Sequence, residues 1–401
     1  MMTSSNHART VRTVAALAAA ASLGSLIVST STPAGADPRP VLVGVGSDTT
    51  QDVMNALGGV GLTNPAPVVA EGKIIASFDA FVGGQTGTCI TPRAPGATFD
   101  RPNGSSNGRR ALSRAIDGTP FTVTGSTCPA PAGSIVSGII DFARSSAGPA
   151  SGSGAGPLMY LPLGRDALSF AFTAPGVANP VTSLTSAQLQ TLFSTGPQTI
   201  NGVNVIPCSI QSGSGTFQSF NTAVGVTAAQ MAAATTTCGA QIQENDGNGL
   251  RTRANSFPGS QVIIGFSAAN FIAQSNGVAT SQLTLGGVDL GAIVTPAGNL
   301  GKPFTGTGSS LAPNSAFFAN TTFGRTVYNV VQASKITGFG NPDLKKMFAQ
   351  TPAFGTPALC SPSAQATVNA FGFASLPIGP GAGNCGDTSL TGPLLTGNGS
   401  I

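Results

Sequence analysis

Four times in this chain an apolar run or loop ends in a hydroxyl-rich cluster, and three of the four open a helical pattern, which limits the fold more than any other feature. Val41–Val45 runs into GSDTTQDVMNAL, and RPNGSSNGRRAL places Ser105 and Ser106 just before a helical stretch. The run Ile139–Phe142 ends in Ala143, Arg144, Ser145 and Ser146, and Val203–Ile206 leads to SGSGTFQSF over Ser212–Phe220. In that last segment Phe217, Phe220 and Val224 share one helix face at i, i+3 and i+7. A strand that turns through small residues into a helix presents N–H groups with no intrahelical partner, at the positive end of the macrodipole. With hydroxyls beside them, those donors form an anion cradle. Singly, each motif is an ordinary capped helix. Four together suggest convergence on one small polar ligand.

None of the four holds the GxxxxGK[ST] pattern of a nucleotide P-loop, and none holds GxGxxG, since Gly44 and Gly46 are followed by Thr49. The chain has one histidine, His7, within the segment expected to be removed. That excludes Ser-His-Asp and Cys-His mechanisms and His-containing zinc sites from the mature protein. Carboxylates could act as general acids and bases, but the 14 Asp and Glu are scattered. Asp246 with Glu244 and Asp48 with Asp52 are the only close pairs, and both fit solvated loops. No GxSxG elbow occurs. The expectation is a binding protein with no metal and no cofactor.

Arg9 and Arg12, the Ala- and Leu-rich stretch Val14–Val28 and Ala34-Gly35-Ala36 form a secretory signal, so residues 1–36 are read as a cleaved signal peptide. Its apolar stretch is shorter than the roughly 18 residues of a membrane span. Removing it leaves 16 basic against 14 acidic groups, no basis for nucleic-acid or membrane binding. No cysteine precedes Cys89 to accept a lipid, so a membrane anchor is not expected, and the destination is extracellular or periplasmic. Six cysteines suit an oxidising compartment. Fifteen pairings are possible, and the sequence neighbours Cys89–Cys128, Cys208–Cys238 and Cys360–Cys385 are favoured because each closes a loop flanked by Gly, Pro or Thr.

Charged residues make up only 8% of the chain, but 41% hydrophobic content is ample for a core. Strands are expected at Lys73–Phe81, Ile135–Phe142, Leu168–Phe172, Val203–Ile206, Val262–Phe266 and Thr326–Val331. Helices are expected at Val53–Leu57, Gly108–Ile116, Ser186–Phe193, Phe217–Val224 and Leu344–Phe348, with Thr185 and Gln188 forming a capping box. The alternation argues for an α/β fold. Loops rich in Gly and Pro interrupt it at 83–108, 147–157 and 295–313, and the tail after Pro377 reads as irregular.

In this order the motifs resemble those of the phosphate-binding, periplasmic-type solute receptors of ABC importers. Gly213-Ser214-Gly215-Thr216 resembles the family's GSGT, and Gly44-Val45-Gly46 its early G-x-G turn. Gly104-Ser105-Ser106-Asn107-Gly108 is similar to GSSGG, and Asp141-Phe142-Ala143-Arg144-Ser145-Ser146 to DFGASD. Phe257-Pro258-Gly259-Ser260 with Val262–Phe266 resembles TPGSIGYV, and Phe373–Pro377 resembles YASLP. The likeness covers roughly 40–377. It implies a two-lobed type II fold with an interlobe cleft, closing by hinge motion over a ligand at strand C-termini. The first crossing between lobes is expected near 158–165 and the return near 267–276. Lobe I is then 37–160 with 277–401, and lobe II is 161–276.

The ligand set implied is Asp48, Thr49, Thr50, Ser105, Ser106, Arg144, Ser145, Ser146, Ser214, Gly215 and Thr216. The chain departs from the family at two charges. Ile210 stands where the family's Arg precedes GSGT, and Ser146 replaces the Asp that accepts the proton of hydrogen phosphate. Arg144 is expected to supply the cation and Asp48 the acceptor, although Arg144 could equally be a surface guanidinium. The function implied is capture of phosphate or a similar oxyanion by a monomer, with an ABC permease as partner. Sugars are disfavoured in a chain with no Trp and two Tyr. A secreted phosphatase or hydrolase on the same fold, or a wall-associated protein with a vestigial cleft, stays open.

Overall fold

The computed structural model describes residues 41–62, 66–82, 88–126, 128, 133–149, 155–397 and 399–400. The expected signal peptide, 1–36, lies outside the described residues. The fold is α/β, built on one large mixed sheet. Its main strands are β1 (Val41–Gly46), β2 (Ile74–Ser77), β3 (Phe142–Ser145), β4 (Leu158–Thr173), β5 (Gln198–Ile200), β6 (Val203–Pro207), β7 (Ser260–Ser267) and β8 (Gly324–Gln332). They lie in the order β2-β1-β3-β8-β4-β7-β6-β5. β1 is parallel to β2 and β3, and β6 is parallel to β7. β8 runs antiparallel between β3 and β4.

β4 joins the two halves of the sheet. Its residues 158–167 pair with β8 and its residues 168–173 pair with β7. The sequence suggested only Leu168–Phe172; the part of the strand it left out holds Pro162 and Gly164, residue types that usually interrupt strands. Pro162 is accommodated where the register slips between Val327 and Tyr328, the kind of irregularity that tolerates a missing donor. β3 also differs from the expected Ile135–Phe142. Gly138, at φ 72°, turns the chain at Ser137–Ile139, and the strand begins only at Phe142.

Four helices reach the centre of the molecule: α1 (Gln51–Leu57), α2 (Ser105–Asp117), α3 (Gly215–Val224) and α4 (Ala268–Ser275). Ser214 caps α3 by accepting from Phe217 N at 3.1 Å, and Ser267 caps α4 in the same way through Asn270 N. The expected capping box at Thr185 and Gln188 is present, with both reciprocal bonds made. Gly104 precedes α2 at φ 86°, and a Cβ there would lie 2.5 Å from the Gly213 carbonyl oxygen. Only glycine lets the starts of α2 and α3 approach so closely.

The core divides along the sheet. One hydrophobic cluster gathers around the second half of β4, β6 and β7, including Phe170, Phe193, Phe220 and Phe266, and extends through Leu290 and Ile293 to Phe317 and Phe323. Two others flank the first half, one around Met54, Phe142, Leu161 and Phe348, the other around Phe99, Leu112, Tyr160 and Val330. Burial of such side chains, at about 25 cal/mol per Å² of apolar surface, is what holds strand against helix. All three expected disulfides are formed: Cys89–Cys128, Cys208–Cys238 and Cys360–Cys385. Much of the expected 295–313 loop is short paired strand, as at Gly298–Gly301. Among the described residues no helix is long and apolar enough to cross a membrane.

Candidate functional site

β1, β3 and β6 all end at the same place, and α1, α2 and α3 begin there. β1 and β3 run with β4 in one half-sheet and β6 runs against it in the other, so their C-termini approach the middle of β4 from opposite ends and meet there. The result is a knot of buried hydroxyls from distant parts of the chain. Ser47 donates to Ser146 Oγ at 3.2 Å, Ser105 and Ser146 lie 3.2 Å apart, and Ser105 Oγ accepts from the Ser146 N–H at 3.0 Å. Thr49 and Thr216 meet across the centre, Oγ1 to Oγ1, at 3.2 Å. A Cβ at Gly215 would fall 2.3 Å from Ser105 Oγ and 2.5 Å from Ser146 Oγ, so glycine is required for this contact. The hydroxyl separations exceed the 2.7–2.8 Å typical of O–H···O bonds, so these are weak contacts that an anion could replace.

The cation facing the hydroxyls is Arg325, at the start of β8. Its Nη2 donates to Thr216 Oγ1 at 2.9 Å and to Thr49 Oγ1 at 3.5 Å. Nε and Nη2 also donate to Asp166 Oδ2, at 3.0 and 2.7 Å, in a pair that is 8% and 0% exposed. Asp166 is held in turn by the N–H groups of Ala167 and Ala269. Arg325 Nη1 is buried without a hydrogen-bond partner.

Arg144 stands behind the hydroxyls. It is fully buried, and its guanidinium donates to the carbonyls of Ser47, Gly46 and Gly44 and to Ser77 Oγ. It is therefore not a surface guanidinium, and its visible work is to hold the Gly46–Ser47 turn. Burial lowers its pKa to about 10, with Asp79, Asp48 and Asp52 holding it up. Ser145 folds back, donating to the Ala147 carbonyl at 2.6 Å. Ser106 accepts from Gln218, and Thr50 Oγ1 is buried without a partner.

Sequence reasoning missed two charged residues here. Arg325 fell one position outside the expected strand Thr326–Val331, although an Arg opening an apolar run is a visible signal. Glu244 was read with Asp246 as a solvated loop, but it is 1% exposed. Its Oε2 accepts from Thr49 Oγ1 at 3.3 Å and its Oε1 has no partner. Burial raises its pKa, while the hydroxyls of Ser214, Thr216 and Thr49 and the Arg325 charge hold it back. Asp48, which accepts from Asn245 at 2.9 Å, is pushed well up by burial and then by Glu244.

Two cavities of opposite character flank this centre. One, of about 770 Å³, is lined by Ser106, Arg109, Arg110, Gln218 and Arg325 along with apolar side chains. The other, of about 240 Å³, is lined by Asp48, Asp52, Asp79 and Glu244 among amides. Asp52 there is raised to about 6, by burial and then by Asp79. Among the described residues no group of three or more His, Cys, Asp or Glu is set to hold a metal.

No family model matches the chain, and no curated protein matches it. Solved structures do. The chain is similar in fold to an ABC-type phosphate transport receptor from Vibrio cholerae, at 16% identity and a TM-score of 0.45, over 83% of this chain and 99% of that one. It is similar to a phosphate-binding protein from Stenotrophomonas maltophilia at 12% identity and a TM-score of 0.42, over 88% and 100%. A human phosphate binding apolipoprotein is similar at 14% identity and a TM-score of 0.44, over 84% and 90%. Each of the three is named for phosphate. The overlaps are partial and carry nothing about what this chain itself binds.

Proposed function

We propose that this chain is an exported binding protein that captures a small tetrahedral oxyanion, phosphate or similar, and presents it to an ABC permease. The observation that carries the reading is the junction of Thr49, Thr216 and Arg325. Three segments far apart in sequence bring two hydroxyls and a guanidinium within 2.9–3.5 Å of one another. Ser47, Ser105 and Ser146 adjoin them, beside the first turns of α2 and α3. An entering anion exchanges long neutral contacts for charge-assisted ones, which are roughly twice as strong. Arg325 supplies the positive charge that Ile210 does not. Glu244, rather than a second cation, sits among the donors, so a protonated oxygen of the anion has an acceptor there.

In this reading the expected lobes, 37–160 with 277–401 and 161–276, close over the anion. The packing of the cluster around the second half of β4, β6 and β7 suggests that lobe II continues to Phe323.

The test is calorimetric titration with phosphate, sulfate, arsenate and a phosphonate. Thr216→Val keeps the volume and removes one donor to a charged ligand, which costs about 1.5–3 kcal/mol, or roughly tenfold to a hundredfold in affinity. Replacing Arg325 alone strands Asp166, so the informative variant is Arg325→Gln with Asp166→Asn, which is expected to lose binding. Arg144→Gln is expected to lower stability more than affinity. Equal affinities in wild type and Thr216→Val, or no oxyanion bound at all, would sink the proposal.

A further inference from the structure

The volume beside the cradle is out of proportion to a bare oxyanion. Five heavy atoms occupy on the order of 150 Å³ at most, taking about 30 Å³ per water as the scale, whereas the arginine-lined cavity holds about 770 Å³. That falls in the range of roughly 300–1,000 Å³ typical of sites for drug-sized organic molecules. The cavity adjoins the cradle at Arg325, which lines it and also bonds the buried Thr49 and Thr216. Ser106, at the start of α2, and Gln218, in α3, form part of its wall.

Its walls have two characters. Arg109, Arg110 and Arg325 line it and no carboxylate does, while Tyr160, Leu168 and Leu394 supply apolar surface. Arg109 is fully engaged, donating to the Ser105 and Gly148 carbonyls, the Tyr160 hydroxyl and Gln218 Oε1. Arg325 is not: its buried Nη1 has no partner. An unpaired guanidinium N–H, buried on a residue that lines the cavity, is a costly arrangement without an acceptor. A bridging oxygen between a phosphoryl head and an organic body would come to such a place.

From these observations we propose that the physiological ligand is an organic phosphomonoester, with its phosphoryl group on the Thr49–Thr216–Arg325 cradle and a compact, largely apolar body in the adjoining cavity. This rests on the oxyanion reading above and extends it to a ligand class.

Calorimetry with inorganic phosphate and phenyl phosphate tests both layers separately. Wild type is expected to bind phenyl phosphate at least tenfold more tightly than inorganic phosphate. Thr222 lines the cavity and is exposed, away from the cradle. Thr222→Trp should fill the space, weaken phenyl phosphate at least tenfold and leave inorganic phosphate within twofold. If wild type binds phosphate as well as or better than phenyl phosphate, the organic body has no seat and this inference falls while the oxyanion reading stands. An equal loss of both ligands in a folded Thr222→Trp would likewise overturn it. If neither ligand binds wild type, both readings fall. The wild-type comparison decides even if the Trp variant does not fold.

Discussion

Asp52 is the most direct quantitative handle on this structure. It lies in the first turn of α1 and lines the acidic cavity, facing Asp79 and, at longer range, Arg144. Burial and then Asp79 raise its carboxyl from 3.8 to about 6. Each tenfold in proton affinity corresponds to about 1.4 kcal/mol, so the ionised form costs the fold on the order of 3 kcal/mol. The sign follows from where the proton is held. Between pH 3.8 and 6 the native state binds more protons at this site than the unfolded chain does. Its contribution to stability is therefore complete below 3.8 and lost as pH rises through 6. Asp48 and Glu244, also raised, act in the same direction. Asp52→Asn keeps the shape and cannot ionise. It is expected to raise unfolding free energy by about 2–3 kcal/mol at pH 7.5, to give almost nothing at pH 4, and to flatten the profile between. Urea melts at half-unit pH intervals measure this. A constant difference between the two proteins from pH 4 to 7.5 would refute the argument.

Two further outcomes follow from the geometry. Gly215→Ala would drive a methyl group to 2.3 Å from Ser105 Oγ, short side chains that cannot swing clear. It should hold α3 off the cradle and weaken oxyanion binding at least tenfold, read by calorimetry, with helix content unchanged by circular dichroism. Cys208→Ala with Cys238→Ala releases a loop of sequence separation 30. Loss of about 3–4 kcal/mol in a denaturant melt is expected, and a loss under 1 kcal/mol would mean that the bridge constrains nothing.

What could be read in advance was local. The Thr185 capping box and the apolar face of α3 are settled within a few residues, and each stands as expected. The cysteine pairs were also legible, since each joins its nearest neighbour in sequence. β4 was foreshortened, and the part left out holds Pro162 and Gly164, which are breakers on local grounds. A register slip against β8, more than 160 residues away, accommodates them. The cradle hydroxyls were visible because they cluster in turns. Arg325 and Glu244 were not, because Arg325 stands alone and Glu244 beside Asp246 reads as an ordinary loop, and each gains its meaning only from partners such as Thr49 and Thr216, which the fold brings to it.

β4 is a single backbone shared by two half-sheets, one hanging from residues 158–167 and the other from 168–173. Neither half could be inherited, excised or expressed as a free-standing module. Cutting at the midpoint would strip each half of part of its central strand and leave an apolar, unpaired margin open to other chains. The two halves must therefore be made together and lost together, and insertions are confined to the periphery. A protein assembled in this way can diversify its rim while its axis stays fixed.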